Sequence, residues 1–197
     1  MVKIKRLTHP CDLVIFQTEF NKILGYSTIP FDYFDSGECY AMFHNGEMEA
    51  GFCLIPGYYN LRSIKQLPFY VIGRISSTYL HGSVDFTGYF IKTKNRFRGL
   101  LFTLFLVKTC FFSKYKYFFY SYATSELGLE RYYGSGNPVR VHTGIPEYLP
   151  GHHQEMPPEH VEVLTRWGIV KIFIYRTVRI IKALINKLFR KKHASRR

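Results

Sequence analysis

From Val84 to Ile91 the chain carries a period of two, inside the stretch SVDFTGYFIKTKNRFRGLLFTLFLVKTCFF at Ser83–Phe112. Val84, Phe86, Gly88 and Phe90 fall on one face of such a strand, and Asp85, Thr87, Tyr89 and Ile91 on the other. Apolar or aromatic side chains occur on both faces, so the strand is expected to be central and covered on each side. Lys92, Lys94, Arg96 and Arg98 crowd the connection that follows. A helix is expected to begin at Gly99. From Leu100 to Phe112 its only charge is Lys108, and the length of the run marks a core helix.

The same patterns divide the rest of the chain. Thr8 or His9 to Leu24 predicts a first helix, with Leu13, Val14, Phe16, Phe20 and Leu24 near one face and Gly25 at its C-cap. Tyr26 to Gly37 is expected as a loop; its acids Asp32 and Asp35, with Glu38, are either solvated or open to a basic substrate. Cys39 to Pro56 predicts a hairpin turning at Asn45-Gly46. Gly57 to Pro68 is irregular, with a helical turn near Leu61–Ile64, and Phe69 to Gly73 is expected as a short strand. Tyr117 to Ala123 predicts a strand, and Ser125 caps a short helix that ends at Gly134-Ser135-Gly136. Pro138 to Thr143 alternates as an edge or final strand. Pro146, Pro150, Gly151, Pro157 and Pro158 then mark a boundary between a globular part, 1–157, and a tail, 158–197.

The tail reads as one helix from Pro158 to about Lys192, with Glu159 and Glu162 in its first turn. At 100° per residue, Lys171, Arg176, Arg179, Lys182, Lys187 and Arg190 gather within an arc of roughly 160°. Val170, Phe173, Ile174, Val178, Ile181, Leu184, Ile185 and Leu188 take the other side. Charges recur too often for a membrane span, which needs about 20 mostly apolar residues. A basic amphipathic helix led by Trp167, Phe173 and Tyr175 suits an anionic membrane surface, contacted through 166–192. Packing on the domain or on a partner helix is the competing account. Nucleic acid would use the charge but not the aliphatic face, so no nucleic acid partner is expected.

Totals change this picture in two places. Net charge is +13, yet eleven of the 27 Lys and Arg lie from Arg166 onward, where there is no Asp or Glu. The remaining 16 face 14 acids, so the globular part is nearly neutral. Cys11, Cys39, Cys53 and Cys110 are scattered without a CxxC pair, so neither a disulfide framework nor a zinc site is expected, and neither Cys39 nor Cys110 is supported as a nucleophile. MVKIKRLTHP has no apolar run, so no signal peptide is expected and the location is read as cytoplasmic, at the inner face of the membrane.

The basic connection has a specific physical use. A helix start has free N–H groups and the positive end of the dipole, and Gly99 beside Arg96 and Arg98 would let a phosphate approach closely. Arg96-Phe97-Arg98-Gly99-Leu100-Leu101 resembles motif A of the GCN5-related N-acetyltransferase (GNAT) superfamily, Gln/Arg-x-x-Gly-x-Gly/Ala, between the fourth strand and the next helix. Arg96 and Gly99 match; Leu101 stands where Gly or Ala is usual. The order of elements over roughly residues 1 to 145 is also similar, and the texture looks most like long-chain N-acyltransferases and autoinducer synthases.

The resemblance implies an α+β (α/β sandwich) fold: a mixed, mostly antiparallel sheet with helices on both faces, here followed by the amphipathic helix. It implies that an acyl donor, acyl-CoA or the acyl-phosphopantetheine of an acyl carrier protein, pairs with the backbone of Gly88, Tyr89, Phe90 and Ile91. Its phosphate would lie at Arg96, Arg98 and Gly99. Acyl transfer to an amine needs a base for the amine, a hydrogen bond to the charging carbonyl oxygen and a proton for the leaving thiolate. Tyr132 or Tyr133 would supply that proton, and Glu126 is the candidate base, with Asp85 and His142 as alternatives. His152, His153, Glu155, Glu159 and His160 match no metal-ligand spacing with a mechanical rationale, so no metal is expected. The reading is an N-acyltransferase that moves an acyl group, fatty by preference, to an amine of an amino acid or peptide side chain. The other reading, raised by Leu101, is a non-catalytic GNAT-like binding module at a membrane.

Overall fold

In the computed structural model, residues 1–24, 29–57, 61–75, 79, 81–146 and 157–194 are described. In chain order the elements are β1 (Val2–Arg6), α1 (Pro10–Leu24), α2 (Phe31–Asp35), β2 (Glu38–His44) and β3 (Glu47–Pro56). They continue with α3 (Arg62–Lys65), α4 (Phe69–Ile72), β4 (Ser83–Ile91), α5 (Arg96–Phe112) and β5 (Tyr117–Ala123). The last are α6 (Leu127–Gly134), β6 (Val139–Gly144), β7 (Glu159–Thr165) and α7 (Arg166–Ala194). The strands form one sheet in the order β1-β2-β3-β4-β5-β7-β6, antiparallel throughout except where β4 runs parallel to β5. This is the expected α+β sandwich with a mixed, mostly antiparallel sheet.

Helices cover both faces. α5, α6 and α7 pack on one, over Met42, Phe52, Val84, Phe102, Phe118, Leu164 and Ile172. α1 and α2 pack on the other, where Phe16 and Phe34 meet edge to face above Cys39, Ala41, Met48 and Phe90. α3 and α4 extend that layer over Phe119, Val161 and Val163.

The Asn45-Gly46 turn forms as expected, with both residues at positive φ. It starts β2 and β3 in the register His44↔Glu47 and Phe43↔Met48, but the next pair is Met42↔Ala50. Glu49 is thus an extra residue, a β-bulge. The slip of one residue places Cys39 opposite Cys53, and the two form a disulfide within the buried core. That overturns the expectation of no disulfide.

Other expectations are corrected by what lies next to the segment. Val2–Arg6 is an edge strand on β2. Phe31–Asp35, expected as loop, is a helical turn because Phe34 drops into the core beside Phe16 and Phe20. Phe69–Ile72, expected as strand, is helical: Ile72 and Gly73 donate back to Pro68 and Phe69 carbonyls, and Val71 is buried. Glu126, not Ser125, occupies the N-cap of α6.

The largest correction is at the tail. Glu159–Thr165 is a strand inserted between β5 and β6, and six of its seven residues are buried. The helix therefore begins at Arg166, and the chain does not divide at 157/158. Ile169 and Ile172 of α7 enter the core. Gly168 permits this approach: a Cβ there would lie 2.8 Å from the Gly136 carbonyl oxygen, and one on Gly136 would lie 2.8 Å from that of Gly168.

Candidate active site

β4 and β5 pair only at Ser83↔Tyr117, Val84↔Phe118 and Asp85↔Phe119. Beyond that point they part, so among the described residues the facing edges of Phe86–Ile91 and Tyr120–Ala123 have no strand partner. The result is a V with its apex at Asp85. An open strand edge of this kind can bind an extended ligand by backbone pairing.

On its other edge β4 is bulged. Thr87 faces Cys53 and Phe90 faces Gly51, so Gly88 and Tyr89 together oppose Phe52. Gly88 has φ +64°, and a Cβ on it would stand 2.7 Å from Phe16 Cζ. Only glycine satisfies both conditions. The bulge also inverts the alternation read from sequence. Val84, Phe86, Tyr89 and Ile91 lie toward α5, whereas Asp85 and Phe90 lie toward α1–α3.

A cavity of about 310 Å³ occupies the V, at the lower end of the usual range for ligand pockets, roughly 300–1,000 Å³. Gly88, Tyr89, Asp85, Glu126 and Tyr133 all border it, together with Glu159 from β7. Phe20, Ile23 and Ile29 supply an apolar wall on the α1 side. A second space of about 30 Å³, almost wholly apolar, lies under α5 and α7 and shares Phe86, Tyr89 and Tyr133 with the first.

Asp85 is 2% exposed. Tyr33 Oη and Ser63 Oγ donate to its two oxygens, and the Ser63 N–H donates at 3.1 Å. Burial pushes its carboxyl up to about 6, although these hydrogen bonds and the nearby Arg62 pull the other way. Glu126, by contrast, stands exposed at the cavity rim. His142 does not border either space; its Nε2 is buried near Gly144.

The two tyrosines separate. Tyr133 is buried, its ring 4.4 Å from that of Tyr120, and it borders both spaces. Tyr132 borders only the smaller one, against Tyr89 and Arg176. Burial pushes both phenols up, so both are protonated at neutral pH.

The basic connection is arranged differently from the expectation. α5 starts at Arg96, and the Asn95 side chain accepts from the N–H groups of Phe97 and Arg98 at 3.0 and 3.1 Å. Two amides at the helix's actual start are therefore capped, and the Gly99 N–H donates to the Asn95 carbonyl at 3.0 Å. Arg98 donates to Glu49, the bulged residue, at 2.8 Å. Gly99 lies inside the helix, buried, with Arg176 Nη2 3.4 Å from where its Cβ would be. Arg96 stays exposed at the first helical position. Leu101 sits on the solvent side of α5, away from the V.

Sequence reasoning missed several of these residues. Tyr33 and Glu159 come from segments read as loop and tail, and Ser63 from a helical turn to which no role is assigned. Arg176 was read as part of the tail's outer charged arc; it turns inward and donates to Tyr89 Oη at 3.0 Å and Thr103 Oγ at 2.7 Å. His152, His153 and Glu155 lie outside the described residues, while Glu159 and His160 belong to β7. Among the described residues no three His, Cys, Asp or Glu side chains are grouped as metal ligands.

No protein-family model matches the sequence, and no curated protein matches it. Solved structures do match. An N-acetyltransferase from Staphylococcus aureus Mu50 superposes with a TM-score of 0.55 over 84% of this chain and 98% of its own, at 11% identity. FeeM, an N-acyl amino acid synthase from uncultured soil microbes, superposes at 0.56 over 84% and 92%, also at 11% identity. This chain has the GNAT fold. A chimeric spermidine N-acetyltransferase SpeG from Vibrio cholerae shares it at 0.53 over 86% and 98%, with 12% identity.

Proposed function

We propose that the chain is a GNAT-type N-acyltransferase that moves an acyl group from a thioester to an amine. The observation that carries this reading is the V itself: an open β4 edge at a glycine bulge, facing a buried tyrosine and a buried carboxylate across one cavity. The donor, acyl-CoA or an acyl carrier protein's acyl-phosphopantetheine, lies along Gly88–Ile91. Its carbonyl oxygen takes a backbone N–H of that edge, and Arg96 meets its phosphate. Tyr133 returns a proton to the thiolate as the C–S bond breaks. Asp85 accepts the proton that the neutral amine nitrogen loses as the new C–N bond forms, and Glu126 at the rim faces the incoming amine.

A fatty acyl group is favoured over acetyl by the apolar wall of Phe20, Ile23 and Ile29. The fold shared with an N-acyl amino acid synthase is compatible with that choice, and with an amino acid or a peptide side chain as acceptor. Leu101, the residue that suggested a non-catalytic module, faces solvent and leaves the V untouched. Among the described residues no helix is long and apolar enough to cross a membrane. The basic, aliphatic outer side of α7 supports a peripheral contact with an anionic membrane.

The test is turnover of acyl-CoA and acyl-carrier-protein donors of graded chain length with a panel of amines, read by mass spectrometry. An N-acyl product, formed fastest with long chains, is expected. Folded protein that makes no acyl product from any donor would sink the enzyme reading.

A further inference from the structure

α5 and α7 lie side by side and antiparallel. The ring of Phe111, near the end of α5, is 5.3 Å from that of Trp167 at the start of α7, and Thr103 in the middle of α5 meets Arg176 further along α7. Their inner faces are spent on the core. Their outer faces are apolar as well. Along α5, Phe97 (75%), Leu101 (38%), Leu104 (50%) and Phe112 (77%) are exposed in helical spacing, interrupted only by Lys108. Along α7, Trp167 (65%), Ile174 (54%), Val178 (42%) and Ile181 (49%) form a matching stripe. Scattered exposed apolar residues are ordinary, but eight on two adjoining helices make a contiguous patch that calls for a partner.

Charge identifies the partner. There is no Asp or Glu from Phe86 to Ser125, nor from Val163 to Arg197, so neither helix carries a carboxylate. Exposed Lys94 and Lys114 border the α5 stripe, with Lys108 inside it, and Lys171, Arg179 and Lys182 lie in or beside that of α7. A second copy of the chain would bring two basic faces together, which like-charge repulsion opposes. Nucleic acid would be matched by the bases but would leave the aliphatic stripe exposed. An anionic bilayer uses both, with the aromatic and aliphatic side chains in the interface and the ammonium groups on the lipid phosphates.

We propose that the outer faces of α5 and α7 form one docking surface for an anionic lipid bilayer. The proposal rests on the reading of a peripheral membrane protein and relocates its contact. The tail does not act alone, because the first turns of its helix are built into the fold, and the core helix α5 supplies an equal share.

Flotation of the full chain with phosphatidylcholine vesicles, with and without phosphatidylglycerol, tests this. Wild type should float with the anionic vesicles, and salt should weaken the association. Leu104→Ser with Phe112→Ser, both on α5 and both exposed, should lower the bound fraction constant about tenfold or more while the thermal melt stays in place. Turnover of a soluble short-chain donor should also persist in that variant, so a lost docking surface is distinguishable from a lost enzyme. Binding equal to wild type in the α5 variant, or no flotation of wild type with anionic vesicles, overturns the proposal. So does a concentration-dependent dimer that the same substitutions abolish, which would assign the patch to a second copy.

Discussion

Asp85 and Glu162 are both carboxylates 2% exposed, one on β4 and one on β7, with β5 between them. Their surroundings differ in kind. Glu162 accepts from the Arg140 guanidinium at 2.8 and 2.9 Å and from Tyr120 and Tyr122 at 2.7 and 3.2 Å. Arg140 reaches on to Glu130 at 3.0 Å. Asp85 is held by hydroxyls and an N–H, and borders the cavity in the V. Burial alone therefore does not mark a functional acid. A carboxylate sealed under its own cation stabilises the fold, whereas one held by neutral donors at a cavity keeps its affinity for a proton.

The sharpest way to break this comparison is to neutralise each acid in turn. Asp85→Asn should cost about 10²–10⁴-fold in kcat/KM, the scale of general base catalysis, with little loss of melting temperature. Glu162→Gln should do the reverse, since the buried carboxylate loses its charge-assisted bonds to the exposed Arg140: roughly 1.5–3 kcal/mol of stability is lost, and turnover per folded molecule is kept. Kinetics and thermal melts on both variants decide it. Full turnover in Asp85→Asn would move the base to Glu126.

The tyrosines allow a second cut. Tyr133→Phe should lower kcat by about 10²-fold or more, because the thiolate loses its proton source. Tyr132→Phe, directed at Tyr89 and Arg176, should cost less than about tenfold. The opposite ranking in single-turnover measurements would make Tyr132 the acid.

The smallest effect is in pH. The folded pKa of Asp85, about 6, lies above its unfolded value near 3.9, so the fold prefers the protonated form. The stability it contributes is complete below about pH 4 and is lost as pH rises through 6. Asp85→Asn should therefore gain on wild type between pH 4 and 7, by on the order of 2–3 kcal/mol. In wild type, kcat/KM should fall below about pH 6. Parallel stability curves for the two proteins would show that Asp85 does not titrate in this window.

How much was legible shows best in the hairpin and in β4. Asn45-Gly46 specified a turn because a tight turn with positive φ is a local demand. Whether Cys39 would meet Cys53 was not local: the turn alone pairs Cys39 with Phe52, and only the bulge at Glu49 shifts the register. Glu49 is positioned by Arg98 and by Lys92, whose N–H donates to its carbonyl at 2.7 Å. The strand at Val84–Ile91 was legible as a period of two. Its inversion at Gly88 was not, because the cause is the Phe16 ring, delivered by α1 from the other end of the domain.

By itself the sequence determined the element types set by local stereochemistry and period, namely α1, the β2–β3 hairpin, β4, α5, β5 and α6. It also determined the absence of acids along α5 and α7. The tertiary structure decided what depends on partners distant in the chain. Glu159–Thr165 follows a proline and carries two acids, as a helix start does, and becomes a strand because β5 and β6 offer two open edges at once. Arg176 belongs to a charged arc on paper and turns inward because Tyr89 and Thr103 offer it acceptors. Asp85, an alternative to Glu126 in the sequence, moves ahead of it because Tyr33 and Ser63 close over it from segments with no periodicity to read. Periodicity reports which face of an element is buried only while one neighbour buries it; where several elements converge on the V, their packing makes the choice.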